Sequence, residues 1–241
     1  MKRILVATGV LATLLFASLT AVAQAQSRDD VLKQIEAKRA ELAALEKRYI
    51  APAEEDRMTY AEFLRSPDTG LIRLLPREKF DPYVTKDKSL TIRGGGAYYS
   101  FSEQRQEYVN STDLGLEQGE FSTGFAGANY GMLTSIGDVP LENVSLETPA
   151  ARILAAHNAA GEEPQARIEQ RRVSHGTTIE GTNYKNRLAV RLNTTYLVRT
   201  VNYGSSDVLV AFRVVRIDAD DSVTILWKQL KKYPTPRLAR N

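Results

Sequence analysis

Histidine is the side chain that proteins use most often for acid–base catalysis near neutral pH. The chain has two histidines, His157 and His175. His175 lies in a Ser-His-Gly stretch that predicts a loop, and it is the stronger catalytic candidate. Its partner would be a carboxylate, Asp207 or Glu103, or a serine, because such sets are assembled in space rather than in sequence. The alternative function is therefore an exported hydrolase that acts on a polymer or an ester.

The sequence signatures of common active sites are missing from the chain. It has no GxSxG stretch, which is typical of a nucleophilic serine on a sharp turn. The glycines at 94–96 lead into Tyr98 and Tyr99 in a strand-like pattern, whereas a phosphate-binding loop needs GxxxxGK[ST] and a helix. We therefore predict no cofactor, and the preferred function is non-enzymatic.

Three carboxylates, Asp218, Asp220 and Asp221, lie close enough in sequence to suggest a calcium site. They lack the spacing of an EF-hand loop, and aspartate is a common residue of hairpin turns. Zinc has less support still, since the chain has no cysteine and its two histidines are distant in sequence. We predict a turn here, with a metal site as the weaker interpretation.

Aromatic residues alternate with glycines through the region 89–137, a pattern that predicts short strands separated by glycine turns or bulges. Tyr98, Tyr99 and Tyr130 are the candidates for an exposed surface on which sugars or polymers could stack. The competing and favoured interpretation is that these rings fill the core of the domain, since aromatic side chains supply large apolar area.

The stretch 196–230 predicts a three-stranded antiparallel meander with alternating apolar positions. A turn centred on 219–220 predicts three cross-strand pairs: Phe212–Trp227, Val214–Ile225 and Arg216–Val223. One face of the meander is wholly apolar and is predicted as core. The first hairpin, around 204–206, is ambiguous by one residue, so the face of Arg199 stays open.

The opposite face of the meander mixes aliphatic residues with Arg213 and Lys228. A solvated face would carry fewer aliphatic residues, and a core face would not carry these cations. We expect this face to be half covered by the N-terminal helix, by a second sheet or by a partner subunit. Arg213 and Lys228 would rim a contact surface there, with their stems on apolar surface and their charges in water.

The N-terminus has the three parts of a secretory signal peptide. Lys2 and Arg3 precede an uncharged run from 4 to 23, and small-x-small sites follow. We predict that residues 1–25 are cleaved; an uncleaved signal anchor is the alternative. The lack of cysteine excludes disulfides and a lipid-modified cysteine. These features are typical of a bacterial periplasmic or secreted protein.

The rest of the chain divides by composition into a helical segment 27–65, a linker 66–82, a β-rich domain 83–233 and a basic irregular tail 234–241. The predicted first helix, 27–50, has apolar residues at heptad-like spacing, interrupted by Lys38: Val31, Ile35, Leu42, Leu45 and Tyr49. This pattern predicts either a coiled coil or an amphipathic helix packed on its own domain. A further helix is predicted from Pro149 to Ala160, followed by a charged loop or frayed helix at 162–172.

Together these patterns predict a mainly β fold, an antiparallel β-sandwich or barrel-like domain with an N-terminal helical segment. The expected function is that of an exported binding or assembly protein. Its β domain would contact a protein or polysaccharide partner, and its helix would aid self-association into a homo-oligomer. Without Lys2 and Arg3, 30 of the 32 cations remain against 29 anions, so we expect no nucleic-acid partner. Cleavage would also leave no stable membrane anchor.

Overall fold

The computed structural model describes residues 27–86, 91–92 and 96–239. The predicted signal peptide 1–25 lies outside the described residues, as do Gly94 and Gly95 of the predicted glycine bulge. The chain divides into two compact units, the first ending at Leu42 and the second beginning at Ala43. No helix among the described residues is long and apolar enough to cross a membrane.

Within the described ranges the α-helices are Arg28–Ile50 (α1), Glu54–Thr59 (α2), Arg77–Phe80 (α3), Pro149–Ala156 (α4) and Glu163–His175 (α5). Short 3-10 turns occupy Phe63–Arg65 and Leu141–Asn143. The first strands are Thr69–Leu74 (β1), Tyr98–Tyr99 (β2), Leu114–Glu117 (β3), Glu120–Ser122 (β4) and Tyr130–Gly137 (β5). The later strands are Thr177–Ile179 (β6), Thr182–Tyr184 (β7), Arg187–Ala189 (β8), Thr195–Asn202 (β9), Ser206–Ile217 (β10) and Val223–Lys232 (β11).

The N-terminal helix begins where its capping residue predicts. The amide of Asp30 donates a hydrogen bond to the Ser27 hydroxyl at 3.1 Å, which satisfies one of the free N–H groups of the first turn. Asp29 and Asp30 lie in that turn, and Lys47 and Arg48 lie in the last, as the helix dipole favours. None of the 23 residues of α1 is buried.

The second unit is a mixed α/β fold with antiparallel sheets. A five-stranded sheet has the order β1-β11-β10-β9-β5, a four-stranded sheet has the order β2-β3-β4-β8, and β6 and β7 form a separate hairpin. The antiparallel pairing confirms the expected sheet type and the predicted meander. The barrel-like expectation is wrong for the described strands, because the five-stranded sheet ends at β1 and β5 and does not close.

Both larger sheets contribute to one hydrophobic core. Phe212 on β10 stacks on Tyr196 of β9, with ring centroids 5.2 Å apart, and meets Phe121 of β4 edge-on at 5.0 Å. Tyr99 of β2 and Trp227 of β11 belong to the same buried cluster. The face of the meander that was predicted as core lies entirely within it: Val208, Val210, Phe212, Val214, Val223, Ile225 and Trp227.

The hairpin register is confirmed at two of the three predicted pairs, Phe212–Trp227 and Val214–Ile225. The third is wrong by one residue, since Arg216 lies opposite Thr224. The register shifts between Val214 and Arg216, as in a β-bulge, where one strand holds an extra residue. The sequence pattern near the turn does not reveal that extra residue.

The opposite face of the sheet is covered by the chain's own helical segments. Leu209 and Ala211 of β10 pack in one cluster with Ala151 and Leu154 of α4. Side chains from the segment after α2 pack against the same cluster: Tyr60, Phe63 and Leu64. The sequence suggested the N-terminal helix, a second sheet or a partner subunit as the cover, and it did not suggest α4.

The predicted linker 66–82 is largely part of the domain. β1 pairs with β11 from Thr69 opposite Lys228 to Leu74 opposite Val223, and α3 follows directly. The two prolines of the stretch 71–82, Pro76 and Pro82, lie outside β1 and α3, so neither interrupts an element. The main domain therefore begins well before Tyr83.

Candidate functional site

The predicted catalytic residues each have other partners. His175 ends α5 on the surface, and its Nδ1 lies 2.7 Å from the carbonyl of Arg171. Asp207 is buried and ion-paired with Arg199. Glu103 accepts a hydrogen bond from Ser111 in another loop. No hydrogen bond within the described part of the chain joins His175 to Asp207 or Glu103.

The other histidine, His157, is half-buried and does not titrate near neutrality. Nε2 of His157 lies 2.8 Å from the hydroxyl of Tyr130, and the two groups share a hydrogen bond. Burial, together with the charge of Arg199, lowers the pKa of His157 to about 4. The ring is therefore neutral at pH 7 and links β5 to the end of α4.

The aspartates at the β10–β11 turn are neutralised by neighbouring cations. The Arg73 guanidinium on β1 contacts Asp218 at 2.9 Å and Asp220 at 3.0 Å. Lys79 of α3 pairs with Asp221. Over the described ranges, no group of three or more His, Cys, Asp or Glu side chains is arranged to hold a metal ion. The three aspartates tie the turn to β1 and α3.

The three tyrosines considered for sugar stacking lie inside the domain. Tyr98 is 5% exposed, its hydroxyl donates to Glu117 at 2.7 Å, and burial raises its pKa. Tyr99 is also 5% exposed and packs edge-on against Phe101. Tyr130 is 1% exposed. An open stacking platform does not fit this packing, and the rings contribute core area instead.

Arg213 and Lys228 are both half-buried on the sheet face that carries α4. Arg213 pairs with Asp138 at 2.6 Å and also reaches the carbonyl of Val139. Burial lowers the pKa of Lys228, and Glu142 opposes that shift. The Arg213 guanidinium thus binds the residues that follow β5. Lys228 has no ion-pair partner among the described residues.

A buried ion pair on the same face was missed by the sequence analysis. Arg199 of β9 meets Asp207 of β10 side by side, with Nε–Oδ1 at 3.0 Å and Nη2–Oδ2 at 2.9 Å. Its Nη1 donates to the carbonyls of Leu154 and His157, and the Tyr233 ring lies 3.7 Å from the guanidinium. One guanidinium therefore holds the end of α4 and the start of the C-terminal segment.

A second buried charge lies on the opposite face of β9. Asp113 is fully buried and accepts hydrogen bonds from Thr200, from Asn202 at 2.9 Å and from the Phe101 amide at 2.7 Å. Burial raises the pKa of Asp113 to about 7, although each of these hydrogen bonds acts to lower it. This carboxyl titrates near neutral pH inside the core.

An apolar groove of about 840 Å³ opens within the second unit, beside β1. Its floor is formed by Ile50, Leu71, Ile72 and Tyr99. The groove is also lined by the end of α1, by Ala51 and Pro52 after it, by Arg57 of α2 and by the loop 104–107. Its cations are Lys47, Arg48, Arg57 and Arg105, and Glu107 is the one acidic lining residue.

The first unit presents an apolar stripe along α1. Val31 is 39% exposed, Ile35 is 40% exposed and Leu42 is 56% exposed, and together with Gln34, Lys38 and Arg39 they line a shallow depression. Leu45, further along the helix, is 47% exposed. These side chains follow the heptad-like spacing that the sequence predicted.

Comparison of the chain with family models, with curated proteins and with solved structures gives no significant match.

Proposed function

We propose that this chain is an exported, non-enzymatic binding or assembly protein. Helix α1 self-associates with a second copy, and the β-containing unit contacts a partner. The observation that carries the proposal is the apolar stripe of α1, a helix of 23 residues of which none is buried. In this proposal residues 1–25 direct export to the periplasm or beyond and are removed, and the two larger sheets form a sandwich.

An isolated helix of this length is marginal in water, because most helical stability in proteins comes from packing an apolar face. The stripe on α1 has no such packing within its own unit. Exposed apolar side chains at Val31, Ile35 and Leu42 lose contact with water when a second helix covers them, at about 25 cal/mol for each Å² buried. A second copy of α1 carries a stripe of the same spacing, so it is the simplest cover.

The competing interpretation, in which α1 packs on its own domain, has support only at the last turn. There the ring of Tyr49 lies 6.1 Å from that of Phe80, and Arg73 donates to the Tyr49 carbonyl. These contacts involve residues of the second unit. In the first unit every described residue, from 27 to 42, is exposed, including the stripe from Val31 to Leu42.

The experiment is a molar-mass measurement by light scattering on the chain that begins at Gln26. Replacing Ile35 and Leu42 with aspartate should convert oligomer to monomer, because two charges would enter the apolar interface. The matched control replaces Ala37 and Ala40, which lie off the stripe, with aspartate. It makes the same charge change and should keep the oligomer. Equal masses for wild type and both variants would end the self-association proposal.

A further inference from the structure

The groove lies beside the outer edge of β1, which no other described strand covers. β1 is the last strand of the five-stranded sheet and pairs only with β11 among the described strands. The amide of Gln229 donates to the Asp68 carbonyl, so the backbone groups at position 68 point toward β11. Orientation alternates along an antiparallel strand, so Gly70, Ile72 and Leu74 also point toward β11. The backbone groups of Thr69, Leu71 and Arg73 then point away from β11, and of these residues Leu71 lines the groove.

An independent contact supports this orientation. The side-chain amide of Gln106 donates to the Arg73 carbonyl and to the Gly96 carbonyl. Gln106 therefore satisfies the outward edge at one end of β1. Further along, the N–H and C=O of Leu71 have no hydrogen-bond partner on that side within the described ranges. An unpaired edge of this kind is a template for another strand.

The groove favours an acidic occupant. Lys47, Arg48 and Arg57 are exposed and make no ion pair with any described residue, whereas Arg105 is paired with Glu103 and Glu107. Three uncompensated cations therefore surround an apolar floor. Complementary charge at an interface raises the association rate and selects the partner.

We propose that the groove binds an extended, acidic peptide segment of a partner protein, which adds as a strand to the free edge of β1. Main-chain hydrogen bonds to Leu71 would give affinity, and alternate side chains of the peptide would enter the apolar floor. The remaining side chains, if acidic, would meet Lys47, Arg48 and Arg57. The groove volume of about 840 Å³ is in the range of ligand clefts. This inference rests on the binding half of the proposed function and names its site and partner class.

The probe is a fluorescein-labelled peptide of about eight residues, alternating glutamate and valine, which spans roughly 26 Å when extended. Fluorescence anisotropy with the chain that begins at Gln26 should show saturable binding that weakens as salt is raised. The same peptide with lysine in place of glutamate should bind at least about tenfold more weakly. Binding of both peptides with equal affinity would overturn the charge argument.

Leu71→Pro tests the strand edge directly, because proline removes the outward N–H while the bonds to β11 come from the neighbouring positions. We expect at least about a tenfold loss of peptide affinity. Leu71→Ala keeps the N–H and removes only part of the apolar floor, so peptide affinity should fall only about threefold. Equal affinities for wild type and both variants would overturn the proposal. Thermal melting checks that Leu71→Pro is folded.

If Leu71→Pro does not fold, the wild-type protein still gives an answer. Peptides methylated on alternate backbone nitrogens remove one set of strand hydrogen bonds at a time. One methylated set should abolish binding, and the other should leave it nearly unchanged, because a peptide strand pairs through one edge. Equal binding of the two sets would contradict strand addition.

Charge reversal tests whether the acidic peptide binds the cations of the groove or any exposed cation of the protein. Lys47→Glu with Arg57→Glu should lower the affinity for the acidic peptide at least about tenfold. Lys33→Glu with Arg65→Glu changes two exposed cations outside the groove lining and should alter that affinity less than about twofold.

Tight binding of a fluorescent fatty acid without binding of the peptide would assign the groove to a lipid and overturn the proposal. Molar mass is measured on the same samples. Loss of peptide binding with an intact oligomer removes this inference alone, and a monomer that binds peptide removes self-association alone.

Discussion

Helix α1 and the hairpin of β10 and β11 use apolar side chains in opposite ways. Along the hairpin, Phe212 and Trp227 are almost fully buried in a core cluster that contains residues of both larger sheets. Along α1, Ile35 and Leu42 follow an equally regular spacing and remain in water. The hairpin therefore obtains its stability from within the chain, whereas we propose that the exposed stripe of α1 is covered by a second copy. The two regions should respond differently to the same kind of substitution.

The largest contrast is expected from truncation of an apolar side chain in each region. Phe212→Ala removes a ring that contacts Tyr196, Phe121 and Phe101, and it should lower the free energy of unfolding by about 3–5 kcal/mol. Leu42→Ala should change it by less than about 0.5 kcal/mol in the monomer. Urea unfolding at a protein concentration that favours monomer measures both. Similar losses would mean that α1 is packed within the chain.

A loss of comparable size should follow from Arg199→Ala on the hairpin side of the comparison. The substitution leaves Asp207 buried without its partner and frees two carbonyls at the end of α4, which costs about 3–5 kcal/mol. Arg199→Met with Asp207→Leu removes both charges and should be much less damaging. Urea unfolding of the single and double variants gives the test. A double variant as unstable as the single one would contradict the ion-pair explanation.

The pH dependence of stability should reveal the other buried charge in the sheet region. The pKa of Asp113 is raised from 3.8 to about 7 by burial, so between these values the folded state binds the proton that the unfolded state has lost. The contribution of the Asp113 carboxyl to the free energy of unfolding is fully present below pH 4. It falls by about 2–4 kcal/mol as the pH rises to 7 and is constant at higher pH.

Asp113→Asn keeps the size of the side chain and removes this titration. Subtracting its stability–pH curve from that of wild type cancels the other carboxyl groups. The difference curve should slope between pH 4 and pH 7. A flat difference curve would contradict a raised pKa at Asp113.

The smallest effect concerns a polar residue on α1. Lys38 occupies a heptad core position between Ile35 and Leu42, so Lys38→Leu should tighten self-association about tenfold, or about 1.4 kcal/mol. Sedimentation equilibrium measures the dissociation constant. Lys33→Leu, on the outer side of the same helix, is the control and should leave it unchanged. Weaker association of Lys38→Leu would place the interface elsewhere.

The sequence predicted best where a local pattern decides the structure. Alternation over 208–227 assigned the core face of the meander and two of its three cross-strand pairs. The capping serine at position 27 located the start of α1. The bulge between Val214 and Arg216 escaped prediction because an extra residue changes no local propensity.

The buried polar sites could not be predicted because their partners are distant in sequence. Asp113 lies in an ordinary Ser-Thr-Asp-Leu stretch, and Thr200 and Asn202 reach it from a strand far along the chain. Arg199 and Asp207 lie two positions apart across a hairpin, since Arg199 is opposite Leu209. Opposite charges at diagonal positions of an otherwise apolar hairpin are the signal that would have found this pair.

The central claim is that residues 27–42 of α1 supply the interface, while the second unit, which begins at Ala43, folds without them. Its most direct test is the molar mass of a chain lacking residues 27–42, measured by sedimentation equilibrium. Residues 53–64 must be retained, because Tyr60, Phe63 and Leu64 pack against the second core cluster. The account predicts a folded monomer at concentrations where the chain that begins at Gln26 is oligomeric. An oligomer of unchanged mass would contradict it.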